Sequence, residues 1–158
     1  MRIEKGAKTN PLAADGSVQL SIREFRPADT RPVIDLWTRC ALVRPWNDPE
    51  KDIHRKRSVP DGPFWVGLLG DRLIASIMVG YDGHRGSVNY LAVDPAHAGT
   101  GFGRQLMDRA EAWLKERGCP KVNLCVRTGN EAVLAFYDRL DYQPDDALLL
   151  GKRLIPDD

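Results

Sequence analysis

Hydrophobic and polar positions follow two periods along this chain, and the points where the period changes mark out its elements. Residues 19–25 alternate, with Leu20 and Ile22 ahead of Arg23-Glu24-Phe25, and predict a short strand. Pro27-Ala28-Asp29-Thr30 then opens a helix in which Val33, Leu36, Trp37 and Cys40 recur at helical spacing, with its end expected near Val43. Arg44-Pro45-Trp46-Asn47-Asp48-Pro49 is too rich in proline and turn residues to continue it. Asp48 is placed to cap a short second helix from Pro49, whose apolar face is thin. Residues 64–69 and 72–81 are apolar, β-branched runs separated by Gly70-Asp71, the spacing of an antiparallel hairpin. A second turn, Asp82-Gly83-His84-Arg85-Gly86, returns the chain into a fourth strand over 88–93. Beyond a glycine-rich turn, Leu106, Met107, Ala110, Trp113 and Leu114 share one face of a helix that Gly118 and Pro120 end. A fifth strand is expected over 121–126, and the intervening helix lets it lie parallel to the fourth through a right-handed crossover. Asn130 caps a last helix with Val133, Phe136, Tyr137 and Leu140 inward, and 147–154 is expected to close the sheet.

The stretch from Val88 to Leu106 organises this pattern. It passes from strand through Asp94-Pro95 and the glycines Gly99, Gly101 and Gly103 into a helix. N–H groups at a helix start have no intrahelical partner and carry partial positive charge, so the design suits a phosphate. Glycine turns also arise for ordinary reasons, and the flanking strand and helix are what strengthen the signal. The absence of a GK[ST] ending argues against a P-loop, and the antiparallel meander before the glycines argues against a dinucleotide-binding fold.

Composition narrows the classes. The chain has 158 residues, enough for one domain, with 23 basic against 22 acidic residues, a balance that suggests no nucleic-acid stripe and no basic membrane patch. No apolar run reaches membrane-spanning length, and a cytoplasmic protein is expected. Cys40, Cys119 and Cys125 lack metal-type spacing and read as reduced thiols, so no metal is expected. Residues 1–18 have no apolar period and read as a flexible extension before a single domain over 19–158.

Three groups of residues, Leu91-Ala92-Val93 before Pro95, Gly99-Thr100-Gly101-Phe102-Gly103, and Asn130 with Phe136-Tyr137 ahead of Leu140-Asp141-Tyr142, resemble the GNAT acyl-CoA-dependent N-acetyltransferases. Arg44 to Pro49, Gly80 to Gly86 and the terminal Gly151-Lys152-Arg153-Leu154-Ile155 resemble most closely the YpeA-like branch. The resemblance implies an α/β (α+β) fold: a mostly antiparallel mixed sheet of six to seven strands, helices on both faces, and parallel, splayed fourth and fifth strands. It implies an acetyl-CoA cosubstrate, its pantetheine arm along Leu91, Ala92 and Val93 and its pyrophosphate on Ala98, Gly99, Thr100, Gly101, Phe102, Gly103 and Arg104, with Asn130 also in the cofactor site. Ala98 departs from the family pattern, which has Gln or Arg there, and Arg104 offers replacement charge.

The chemistry implied is direct attack by an amine on the acetyl group. A backbone N–H near Leu91 or Ala92 would stabilise the oxyanion, a donor worth roughly 3 kcal/mol. Tyr137 would be the general acid for the leaving thiolate, with ordinary core packing as the alternative for a tyrosine spaced with Val133 and Leu140. Asp82 and His84 are candidate bases, Asp48 a third, and each is equally a turn or surface residue. Tyr90 is a further residue that could face the cleft. Arg44, Trp46 and Asp48 would form an acceptor pocket for a small amine or a peptide. Protein N-terminal acetylation of the ribosomal-protein type and a non-catalytic acyl-CoA sensor are the alternatives. The apolar segment 147–154 would either complete its own sheet or pair across a homodimer.

Overall fold

The computed structural model describes residues 9–157. Five strands form one sheet in sequence order: β1 (Ser21–Glu24), β2 (Phe64–Leu69), β3 (Arg72–Tyr81), β4 (Gly86–Val93) and β5 (Val122–Asn123). The first four run antiparallel, and β4 pairs with β5 in parallel. Gly70-Asp71 makes the tight turn between β2 and β3, with Leu69 opposite Arg72.

Strand alternation sends side chains to two cores, and helices cover both. Phe64, Val66 and Met78 pack with Val33, Leu36 and Trp37 of α1 (Thr30–Arg39) and Ile53 of α2 (Pro49–Ser58). Trp65, Ile77 and Val79 meet Leu106, Met107, Ala110 and Leu114 of α3 (Phe102–Glu116), together with Tyr137 of α4 (Glu131–Asp138). The spacing of the buried positions on α1 and α3 is the three-and-four rhythm of an amphipathic helix. Helix α2 buries Ile53 alone, so polar contacts hold it: the Lys56 ammonium bonds Asp61 Oδ1 at 2.6 Å and the Val79 carbonyl.

Several expectations are corrected. The sheet has five strands among the described residues, not six to seven. Segment 147–154 is irregular, and Leu148, Leu149, Leu150 and Leu154 are 80–90% exposed. Three successive leucines cannot all face one side of a strand with period two, and among the described residues no strand pairs with them. The fifth strand shrinks from 121–126 to two residues because β4 pairs with it only through Gly86 and Ser87. Helix α1 ends at Arg39, followed by Ala41 in the left-handed region with φ of 55°, so the helix does not reach Val43. In the segment read as a flexible extension, residues 1–8 lie outside the described residues. Asn10 is tied to the sheet edge: its amide donates to the carbonyls of Gln19 at 2.7 Å and Leu68 at 2.9 Å, and its oxygen accepts the Gly70 N–H.

Candidate active site

Beyond Ser87 the outer edge of β4 has no strand partner among the described residues, and a cleft opens there. It occupies about 550 Å³ between the end of β4, the glycine turn and α4. Asp94 fixes the entry to the turn: its carboxylate accepts the Ala96 N–H at 3.0 Å and an Arg39 Nη2 contact at 3.0 Å, which together hold it below the usual carboxylate range. Gly99 and Gly101 have φ of 74° and 84°, conformations that a side chain disfavours. The first intrahelical bond of α3 runs from the Gln105 N–H to the Gly101 carbonyl at 3.1 Å. The N–H groups before it are left without an intrahelical acceptor at the mouth of the cleft.

The lining divides into a cationic end and an apolar end. Arg104 reaches across to donate to the Arg139 carbonyl at 2.8 Å, and both arginines line the cleft beside the glycine turn. Ala98 contributes only a methyl group; its N–H is used on the Pro95 carbonyl at 3.2 Å. Leu91, Val93, Val133, Phe136 and Leu140 supply the apolar end. A Cβ on Gly103 would lie 3.1 Å from the Phe136 ring, so glycine is what allows α3 and α4 to approach here. Cationic and amide donors at one end and apolar side chains at the other fit a molecule with phosphates on an extended arm.

Tyr137 stands where this cleft meets a second one, of about 680 Å³, between α4, residues 121–126 and the chain after Tyr142. Its ring packs edge-on against Phe136 and Tyr142, with centroids at 5.0 and 5.5 Å. Burial pushes its hydroxyl up to about 12.

Within β4 the backbone bulges, with Leu91 in the cleft lining and Tyr90 packed against the α1 core. Ser76 pairs with Ala92 and Met78 with Asn89, leaving Tyr90 and Leu91 opposite Ile77 alone, and Tyr90 takes a left-handed φ of 49°. A chain of buried contacts holds it. The Trp37 indole N–H donates to Ser76 Oγ at 2.9 Å, which donates to the Tyr90 carbonyl at 3.0 Å, and the Trp37 and Tyr90 rings stack at 3.8 Å. The Tyr90 hydroxyl donates to Asp52 Oδ2 at 2.5 Å, and burial followed by the Asp52 charge pushes that hydroxyl well above its ordinary value.

Leu91, Val93, Ala98, Gly99, Thr100, Gly101, Phe102, Gly103, Arg104 and Tyr137 therefore meet around one cleft. Ala92 does not; it is buried in the α1 core. Asn130 lies outside the lining and caps α4, accepting the Val133 N–H at 3.4 Å. Asp82 and His84 sit in an exposed turn before Gly86, about 13 Å of strand from the bulge at Tyr90. Asp82 is used there as a turn former, accepting the His84 and Arg85 N–H groups at 2.7 Å each. In the expected acceptor loop, Asp48 caps α2 through the amides of Glu50 and Lys51, Trp46 is half exposed beneath the Arg127 guanidinium, and Arg44 Nε is buried without a hydrogen-bond partner among the described residues. Sequence reasoning missed Arg139 and Asp52. Arg139 carried a signal, a cation at the end of a helix that packs on the glycine turn. Asp52 carried none beyond its place in the first turn of α2.

The sequence profile of the acetyltransferase (GNAT) family matches residues 30–142. An acetyltransferase of Yersinia enterocolitica is 49% identical over 138 residues, 87% of this chain and 98% of that protein, and one of Sodalis glossinidius is 50% identical over 139 residues with the same coverage. Among solved structures, a predicted acetyltransferase from Clostridium acetobutylicum, determined with acetyl-CoA, shares the fold with a TM-score of 0.67 at 17% identity, covering 85% of this chain and 96% of that one. A five-stranded sheet opened beside β4, a glycine turn feeding α3 and two relatives near half identity lead to one assignment: the chain belongs to the GNAT family of acetyltransferases and is an N-acetyltransferase.

Proposed function

We propose that the enzyme takes acetyl-CoA into the cleft beside β4 and transfers the acetyl group to a primary amine by direct attack, in the manner of the YpeA-like branch. The observation that carries this reading is the coincidence of the unpaired β4 edge with the glycine turn at its end. The pyrophosphate would rest on the amides from Gly99 to Arg104, with the Arg104 and Arg139 guanidinium groups in place of the charge that Ala98 lacks. Leu91, Val93 and Phe136 would flank the pantetheine arm, and the backbone of β4 would bond it as a neighbouring strand does. Acetyl-CoA supplies the activated acyl group.

This chain's residues supply the rest. The bulge takes Tyr90 and Leu91 out of the β3 ladder at the residue that lines the cleft, Leu91, and a fixed N–H there would steady developing negative charge on oxygen. Tyr137 keeps its proton at neutral pH and lines the cleft, which suits donation to a departing thiolate. Asp52, joined to Tyr90 on the opposite side of the bulge, is better placed than Asp82 or His84 to receive an amine proton. The acceptor, a small amine or a peptide, would enter past Arg44, Trp46 and Asp48.

Calorimetric titration with acetyl-CoA, with CoA and ATP as comparators, tests the reading. Acetyl-CoA is expected to bind, and Gly101→Val, which forces a branched side chain into a left-handed turn, should weaken it at least tenfold. Equal affinity in the variant, or ATP binding as well as acetyl-CoA, would overturn it.

A further inference from the structure

The chain returns to α2 at its far end. Residues 147–155 cross the surface almost fully exposed, yet Asp157 is only 5% exposed. Its carboxylate is gripped on both oxygens by one guanidinium: Arg55 Nη2 lies 2.5 Å from Oδ1 and Nη1 3.0 Å from Oδ2. The Asp48 N–H donates to Oδ2 at 3.3 Å, and the Lys51 ammonium donates to the Asp157 carbonyl at 3.3 Å while standing 4.0 Å from Oδ1. A two-pronged guanidinium clasp with an added amide and ammonium recognises a carboxylate as such, whichever molecule carries it.

The position of this clasp gives it meaning. Arg55 Nη1 also donates to Asp52 Oδ1 at 3.2 Å, and the other Asp52 oxygen holds the Tyr90 hydroxyl. Tyr90 precedes Leu91, which lines the cleft. One guanidinium, one carboxylate and one phenol therefore separate the clasped carboxylate from the β4 bulge. Asp48 turns its own carboxylate away, toward the amides of Glu50 and Lys51.

We propose that Arg55, Lys51 and the Asp48 amide form a carboxylate-binding subsite that Asp157 fills in the free enzyme, and that an acceptor bearing a carboxylate as well as its amine displaces it. Amino-acid-like amines are then the acceptor class. The acceptor half of this proposal rests on the reading of the β4 bulge as the reaction centre; the carboxylate half does not. Asp157 acts as a resident competitor at the local concentration that its attachment to the same chain confers, so an external carboxylate binds only the fraction of molecules in which it has let go.

The test is a calorimetric titration with glutarate at low salt, which requires no acetyl-CoA and so reads the subsite independently of the acyl-donor site. Asp157→Ala is expected to bind glutarate about tenfold tighter than the wild type, as removal of a competitor that holds the subsite closed nine times in ten would produce. Adding Arg55→Met should abolish the gain, and adding Arg55→Lys, which keeps the charge and loses the fork, should retain part of it. No gain in Asp157→Ala, or a gain that survives Arg55→Met, overturns the subsite. With acetyl-CoA present, glycine, β-alanine and 4-aminobutyrate are compared with alkylamines of the same lengths in the Asp157→Ala protein. At least one amino acid should exceed its alkylamine about tenfold in kcat/KM, and parity throughout overturns the acceptor class. Acetyl-CoA binding without glutarate binding sinks the subsite alone; glutarate binding without acetyl-CoA binding sinks the acyl-donor reading alone.

Discussion

Tyr137 keeps its proton through the neutral range because burial disfavours its anion. If the proton it holds is the one given to the thiolate, Tyr137→Phe should lower kcat about a hundredfold, within the range of a lost general acid. The ring contacts with Phe136 and Tyr142 would survive, so the urea midpoint should hardly move. Unchanged turnover would return Tyr137 to the core. The same burial ties stability to alkaline pH. A folded-state value near 12 lies above the unfolded tyrosine near 10, so this contribution is complete below about pH 10 and is lost as pH rises toward 12. Urea unfolding at pH 9 and 11.5 should show the loss, and Tyr137→Phe should reduce it. Tyr90 and Tyr142, also pushed upward, would supply what remains. The inward face of α4 was legible in its sequence spacing. The burial of the hydroxyl that raises its value was not, because it depends on how neighbouring elements pack around it.

At the scale of elements, the bulge in β4 is held from outside the strand. Ser76→Ala would remove both the acceptor of the Trp37 N–H and the donor to the Tyr90 carbonyl in a region that excludes water. A cost of about 1–3 kcal/mol is expected for groups so stranded, measured as a lower urea midpoint. Acetyl-CoA should bind more weakly in the same variant, since Leu91 lies within the bulge; an unchanged midpoint and affinity would show that the bulge holds itself. Elements whose causes are local were readable in advance: Asp48 before Pro49 starts α2, and Gly70-Asp71 turns β2 into β3. The bulge was not, because Ser76, Trp37 and Asp52 reach it from three other elements. Segment 147–154 failed for the complementary reason. Its residues favour a strand, but a strand needs a neighbour, and composition cannot supply one. The cap at Asn130 was readable for the most local of reasons, since its side chain meets the N–H three residues on, whereas its place in the cofactor site rested on family likeness alone.

For the molecule as a whole, the row from Leu148 to Leu150, with Leu154 and Ile155 beyond it, leaves apolar surface in water on the same side as the larger cleft. Surfaces of this kind commonly mark association. Sedimentation at tens of micromolar should show self-association that Leu149→Asp reverses, and a monomer at every concentration would mean that this segment serves its own chain. No helix among the described residues is long and apolar enough to cross a membrane. The two-residue pairing of β4 with β5 reaches further than the cleft it opens. The strands meet at Gly86 and Ser87 and pair no further among the described residues, which leaves a seam that a guest in the proposed cofactor site would close. A guest that binds the folded chain alone draws the population toward it by mass action. On that account the abundance of folded enzyme in a cell would rise and fall with the supply of its acyl donor, and the protein would be a gauge of that supply before it has transferred a single group.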